Sequence, residues 1–252
     1  MDPNVKDPNG SMPSKEPSRR RRRKSELSPT VLGSKQLKVS LLRDQVLNLL
    51  RQAIVEMQLK PGDLLVEREL IEWTGVSRAT IREALRQLTA EGLVQTIPQK
   101  GTIVASPSPT EARELFEIRA MLEGLAARQF TERASDKDRK DIKAAVRRLE
   151  RLVSSGSDVR TLLQAKNQFY GILLRGAYNN TLHSLLSSLQ ARIAVLRATS
   201  MSHPGRPQES VQEVRAVVEA SERGDGAAAE EACVWHVRQA ARYALEKLAE
   251  GP

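Results

Sequence analysis

The chain of 252 residues has one cysteine and three histidines, and aromatic residues make up only 3% of it. The single cysteine, Cys233, excludes an intrachain disulfide and any zinc or iron–sulfur site built on several cysteines. With so few rings, the cores must be made from Leu, Val, Ile and Ala. No apolar run approaches the roughly 18 residues needed to cross a bilayer. The polar, charged N-terminus lacks a secretory-signal pattern. A cytoplasmic protein that does not engage a membrane is therefore expected. No Ser/His/Asp, Cys/His, paired-carboxylate or phosphate-loop arrangement is recognisable, so catalysis is not expected.

The chain is long enough for two small domains, and it carries a net charge of +9. That charge is unevenly spread. Residues 1–38 hold ten Lys/Arg against four Asp/Glu, whereas residues 39–105 hold eight of each. Residues 1–38 are also rich in Pro, Ser and Asn, and are expected to form a disordered basic tail. Within it, residues 1–11 resemble a vector-derived leader that ends at Gly10-Ser11, before Met12. The unbroken run Arg19–Lys24 suits either a flexible arm that adds phosphate contacts or a solvated tail.

Apolar residues at Leu42, Val46, Leu49, Leu50 and Ile54 recur near the helical period and predict an amphipathic helix over 41–57. Lys60-Pro61-Gly62-Asp63 makes a turn, and a short second helix follows from Glu67 to Trp73. Gly75 is suited to the left-handed conformation that ends a helix, and Ser77 to the N-cap of a third helix reaching about Glu91. Two strand-like pieces, 93–97 and 102–105, flank Pro98-Gln99-Lys100-Gly101 as a hairpin. The expected fold is mainly α. A winged helix-turn-helix over 39–105 has three helices plus a β-hairpin wing. After an extended linker at 106–109, an all-α bundle of six or seven helices fills 110–252. Its helical segments are expected near 110–133, 136–154, 158–177, 180–201, 207–223 and 225–249.

The third helix is the one that would read DNA, because an α-helix fits the major groove. Arg78, Arg82 and Arg86 recur every four residues on one face, while Ile81, Leu85 and Leu88 line another. A guanidinium fork can pair with guanine O6 and N7 or with phosphate. Ser77 and Thr80 stand where hydroxyls and free N–H groups at a helix start can meet phosphates. Three arginines alone would equally suit a solvated face, paired as Arg86 with Glu83 or Arg78 with Glu83. Their place between a preceding helix and a following hairpin argues for DNA.

The residues Leu59-Lys60-Pro61-Gly62-Asp63, Glu67-Arg68-Glu69-Leu70, Gly75-Val76-Ser77-Arg78-Ala79-Thr80-Ile81-Arg82-Glu83-Ala84-Leu85, Glu91-Gly92-Leu93-Val94 and Gly101-Thr102 resemble the N-terminal domain of the GntR family of regulators. The resemblance implies DNA contacts from Arg68, Ser77, Arg78, Thr80, Arg82, Lys100 and Gly101. Ala79 stands where that family usually has Thr or Ser. Residues 110–249 resemble the FCD domain of the FadR-like branch, through Glu117–Glu123, Ala126-Ala127, Phe169-Tyr170, Asn179, Leu182, Gly205-Arg206 and Gly224-Asp225. This implies a nucleoid-associated homodimer that binds a palindromic operator in double-stranded DNA. It would respond to a small organic-acid or acyl-type effector. The alternative is an effector-independent architectural DNA-binding protein.

Many such relatives bind a divalent metal through one Asp and three His. The matching positions here are Lys166, Tyr170, Val214 and His236, so no metal and no cofactor are expected. Instead Lys166, Tyr170 and His236, with Arg119 and Arg192, are expected to line a pocket for an organic anion. The plainer alternative is that these cations pair with helix-borne Glu, and that Tyr170 and His236 are hydrogen-bonded core residues. Trp73, Trp235 and Cys233 are expected to serve packing. His183 and His203 are given no role.

Overall fold

The computed structural model describes residues 34–249, so the basic run Arg19–Lys24 lies outside the described residues. Helix α1 spans Ser34–Val55 and thus takes in residues 34–38, which were expected to be tail. Its buried stripe is Val46, Leu47, Leu50, Ala53, Ile54 and Val55. Leu42 and Leu49, expected in that stripe, are about two-fifths exposed. Leu49 lies about 100° around the helix from Leu50, away from the centre of the stripe.

Helix α2 (Glu67–Thr74) stops at Gly75, whose φ of 70° is the left-handed geometry that suits glycine. Helix α3 (Arg78–Ala90) starts at Ser77, whose Oγ accepts from the Thr80 N–H. Strands β1 (Val94–Ile97) and β2 (Gly101–Val104) pair antiparallel with Val94 opposite Val104. The segment before α2 joins the other edge of β2: the Leu65 N–H donates to the Thr102 carbonyl at 2.8 Å and the Gly62 N–H to that of Val104 at 3.0 Å. The wing is thereby tied to the turn between α1 and α2.

The second half is an all-helical bundle: α4 (Pro109–Arg133), α5 (Asp136–Ser154), α6 (Val159–Gly176), α7 (Asn180–Met201), α8 (Arg206–Glu222) and α9 (Gly226–Ala249). Ser108 opens α4 with a capping box, its hydroxyl accepting from the Glu111 N–H while Glu111 reaches back to the Ser108 N–H. Ser135, Asp158 and Asn179 cap α5, α6 and α7, each side chain accepting from the N–H three residues on. Close approach of helices depends on two glycines. A Cβ at Gly124 of α4 would lie 2.8 Å from Val234 of α9, and one at Gly176 would lie 2.5 Å from the Phe130 ring. The bundle core includes Phe116, Phe130, Leu149, Phe169, Leu196 and Val237, with Cys233 buried among them. Trp73 and Trp235 are half-exposed and not the packing residues they were expected to be.

Helix α7 belongs to both halves. Its Leu186, Ile193 and Leu196 lie in the bundle core, while Ala191, Ala194 and Val195 complete the core of the winged helix around Leu50, Ile54 and Leu88.

Candidate functional site

On α3 the side chains of Arg78, Arg82 and Arg86 point to solvent, and Ile81, Leu85 and Leu88 are buried. The turn at Gly75 brings Glu67, the first residue of α2, against this basic face. Its carboxylate lies 2.8 Å from Arg82 Nε and 3.9 Å from Arg78 Nε. Arg86 pairs with Glu83 at 2.7 Å, whereas Arg78 turns to Glu67 and not to Glu83. Arg68 lies on α2, 3.7 Å from Glu72, and Ser77, Lys100 and Gly101 are exposed at the helix start and the wing tip. Thr80 is the exception among the expected DNA contacts. It is buried, and its hydroxyl lies 2.9 Å from Ser77 Oγ inside the cap, so its side chain is turned away from the surface.

In the bundle, four cationic side chains are buried together: Arg119 of α4, Lys166 of α6, Arg197 of α7 and Arg206 of α8. They fall into two clusters. In the first, Arg119 donates to both oxygens of Glu123, at 2.8 and 3.2 Å, and to the Tyr170 hydroxyl at 3.1 Å. Arg197 stacks on the Tyr170 ring, 4.1 Å from its centre, and donates to Asn167 Oδ1 at 2.6 Å. In the second cluster, Lys166 Nζ donates to Ser210 Oγ at 2.6 Å and lies 3.2 Å from His236 Nε2. The other face of that imidazole meets Glu213 at 2.5 Å, and Arg206 grips the same carboxylate at 2.6 and 2.9 Å.

Positive charge exceeds negative in these clusters. Burial, with Arg197, Arg206 and Arg119 around it, holds the Lys166 pKa well below its ordinary value. Even with Lys166 neutral, three buried guanidiniums meet only two buried carboxylates, Glu123 and Glu213; the half-exposed Glu209 lies 3.8 Å from Arg206, so the surplus falls to Arg119 and Arg197, which share Glu123. Burial, with Arg119 next to it, pushes the Arg197 pKa down to about 10. The buried Arg119 Nη1, Arg197 Nε and Arg206 Nε have no hydrogen-bond partner. A cavity of about 130 Å3 opens beside the first cluster, with Glu123, Asn167, Tyr170 and Arg197 along its inner wall and His183, Ser187 and Gln190 at its exposed edge.

The gntR family of bacterial regulatory proteins matches residues 42–104, and the FCD domain matches residues 114–239, half of the chain. The chain belongs to the GntR family, with an FCD domain. A D-xylose utilization operon repressor described as probable, from Paenarthrobacter nicotinovorans, is 29% identical over 81% of this chain and 89% of its own. The galactonate operon transcriptional repressor of Escherichia coli is 28% identical over 81% of this chain and 96% of its own. Among solved structures, E. coli McbR/YncC superposes with a TM-score of 0.67 at 20% identity, covering 83% of this chain and 97% of that one. A GntR regulator from Rhodococcus sp. RHA1 superposes at 0.65 and 19%, covering 83% and 98%. At that level of identity the likeness concerns the fold. The homologous families are transcriptional regulators, and this GntR protein is a DNA-binding regulator, not an enzyme.

The metal site of many FCD relatives does not fit these residues. Lys166 already faces His236 Nε2, Tyr170 is bonded to Arg119, and Val214 has no donor atom. Among the described residues, no group of three or more His, Cys, Asp or Glu is placed to hold a metal ion.

Of the five expected effector residues, the structure brings together Arg119, Tyr170, Lys166 and His236 but leaves out Arg192. That side chain is exposed, its Cδ lying 3.9 Å from where a Cβ on Gly92 of the DNA-binding domain would be. Position 192 is five residues, about 140° of helix rotation, from Arg197, which does reach the cluster. Arg197, Arg206 and Glu213 were missed; an arginine spaced from the buried Ile193 by one helical turn was the available signal for Arg197. His183 was given no role but borders the cavity, and its Nδ1 lies 3.4 Å from Ser187 Oγ.

Proposed function

We propose that this GntR regulator binds a palindromic operator as a homodimer and that a small organic anion in the FCD bundle sets its affinity. Arg68, Ser77, Arg78 and Arg82 meet the major groove and its phosphates, with Lys100 and Gly101 at the wing. The observation that carries the effector reading is the buried pair Arg119 and Arg197 against the one carboxylate of Glu123, each with an unpartnered N–H group, and with Arg197 in the wall of a cavity. Buried donors without partners are costly, and an anionic ligand would satisfy them. Tyr170 borders the cavity, Arg119 holds its hydroxyl, and Lys166 and His236 stand in the neighbouring cluster. Two relatives are a galactonate operon repressor and a probable D-xylose utilization operon repressor, and galactonate is itself a carboxylate. A role as repressor of such an operon accords with the charge of this bundle. An architectural role is not favoured, because it requires neither sequence reading nor a charged cavity. As for membranes, none of the described helices is long and apolar enough to cross one.

The test selects bound DNA from a random pool, then measures operator binding by fluorescence anisotropy with a panel of carboxylates at constant ionic strength. The expected result is an inverted-repeat sequence and at least one carboxylate that shifts its affinity. Equal binding to all sequences would restore the architectural alternative.

A further inference from the structure

We propose that Arg197 reads the effector and that α7 conveys its occupancy to the DNA-binding domain, of whose core α7 is also a part. This rests on the effector reading above and adds the residue, the ligand class and the route.

Arg197 is the buried guanidinium least committed to a carboxylate. Arg119 holds Glu123 through two hydrogen bonds and Arg206 holds Glu213 through two. Arg197 lies 3.7 Å from Glu123, beyond hydrogen-bond range, and its polar bond is to the neutral amide of Asn167. Its Nε is buried and unpartnered, and the side chain forms part of the cavity wall. A carboxylate entering here would complete a charge-assisted fork in place of the Asn167 amide.

Size and lining narrow the ligand. An apolar cavity of about 150 Å3 takes benzene, with six non-hydrogen atoms, so about 130 Å3 open at one edge suits a molecule of some five to seven. The exposed edge offers Ser187, Gln190 and His183, which can donate to or accept from hydroxyls. One uncommitted guanidinium and a polar edge match a short monocarboxylate bearing hydroxyl groups.

Helix α7 is shared by the two domains. Ile193 and Arg197, one turn apart, face the cavity, while Ala191, Ala194 and Val195 face α1 within the winged-helix core. Small side chains bring α7 close to that domain, and Ser187, Ser188 and Ala191 face Arg51, Glu91 and Leu93 across the cleft between the domains. Packed interfaces of this kind shift between discrete arrangements and do not absorb a displacement. A ligand that draws Arg197 off Asn167 displaces α7 and with it the seat of α1 and α3.

The experiment uses lactate and glycerate, each beside its neutral polyol propane-1,2-diol or glycerol. Melting temperature and operator affinity are read separately. For the wild type, a carboxylate raises the melting temperature by roughly 3 °C or more and changes operator Kd by about fivefold or more, whereas its polyol does neither. Arg197→Met loses the melting shift, and Asn167→Ala, at a half-buried position, enlarges it because the guanidinium is released. Val195→Ala keeps the melting shift but loses most of the operator response. If no carboxylate shifts the wild type, the effector reading itself fails. If a carboxylate binds but Arg197→Met, or Arg197→Lys should Met not fold, leaves binding intact and Asn167→Ala has no effect, Arg197 is not the reader. A full operator response in Val195→Ala with normal binding overturns the α7 route.

Discussion

Lys166 Nζ and Glu213 occupy opposite sides of the His236 ring, the amine 3.2 Å from Nε2 and the carboxylate 2.5 Å from Nδ1. The arrangement assigns the tautomer: Nδ1–H donates to Glu213, and Nε2 accepts from the lysine. Burial, then the charges of Lys166 and the surrounding arginines, hold the His236 pKa far below 6.5. The folded chain therefore keeps this ring neutral at pH values where the unfolded chain protonates it. Stability falls as pH drops below about 6.5, by up to about 1.4 kcal/mol per pH unit from this residue, until the lower native value is reached. Lys166 has the same sign at higher pH, stability rising from its lowered native value toward about 10.5. Denaturant unfolding at pH 7.5 and 5.5 should show a larger loss for the wild type than for His236→Gln. Equal losses would contradict the assignment.

The same contacts bear on metal dependence. With the lysine on Nε2 and Glu213 on Nδ1, His236 has no free nitrogen to ligate an ion. Melting temperature and operator affinity should be unchanged after EDTA treatment and after adding Zn2+ or Mn2+. A strong loss of stability in EDTA would show that Lys166 yields its place to a metal.

In the proposed complex Glu67, 2.8 Å from Arg82 and 3.9 Å from Arg78, would compete with DNA for both. Arg82→Ala should cost about 1–3 kcal/mol of specific binding if that guanidinium reads a base. Glu67→Gln should instead strengthen binding a few-fold and steepen its dependence on salt concentration, since both arginines then meet phosphate without displacing a carboxylate. Anisotropy titrations over a salt series measure both, and weaker binding by Glu67→Gln would mean that the carboxylate positions the arginines productively.

Gly176 has no room for a methyl group. Its Cβ would sit 2.5 Å from two carbons of the Phe130 ring and 3.3 Å from Asp138 Cβ. Gly176→Ala should destabilise the protein by about 1–3 kcal/mol despite the better helix propensity of alanine. A thermal melt decides it, and a stabilised variant would show that Phe130 can rotate away at little cost.

The winged helix was legible because its signals are local: Gly75 and Ser77 punctuate α2 and α3, and the hairpin follows Gly92 directly. Six helices in the bundle were legible because Ser, Asn, Pro and Gly punctuate the chain between them, as at Asn179-Asn180 and Gly224-Asp225. The charge clusters were legible in part. Lys166, Tyr170 and His236 follow from the spacing shared with FCD domains, but Arg197 and Glu213 depend on how α7 and α8 are rotated about their axes. Arg192 and Arg197 differ by only a few residues in sequence, and tertiary packing alone decides which one is buried. Glu67 was hidden for a related reason, since its partners lie 11 and 15 residues away across a turn.

Ala191, Ala194 and Val195 sit inside the winged-helix core, so severing the chain at the 106–109 connection would strip the DNA-binding half of part of its own hydrophobic interior. Excised alone, it should unfold at lower denaturant and be cleaved sooner by protease, whereas the intact protein should melt in one cooperative transition. The two halves divide the labour of recognition and response, but they fold as partners.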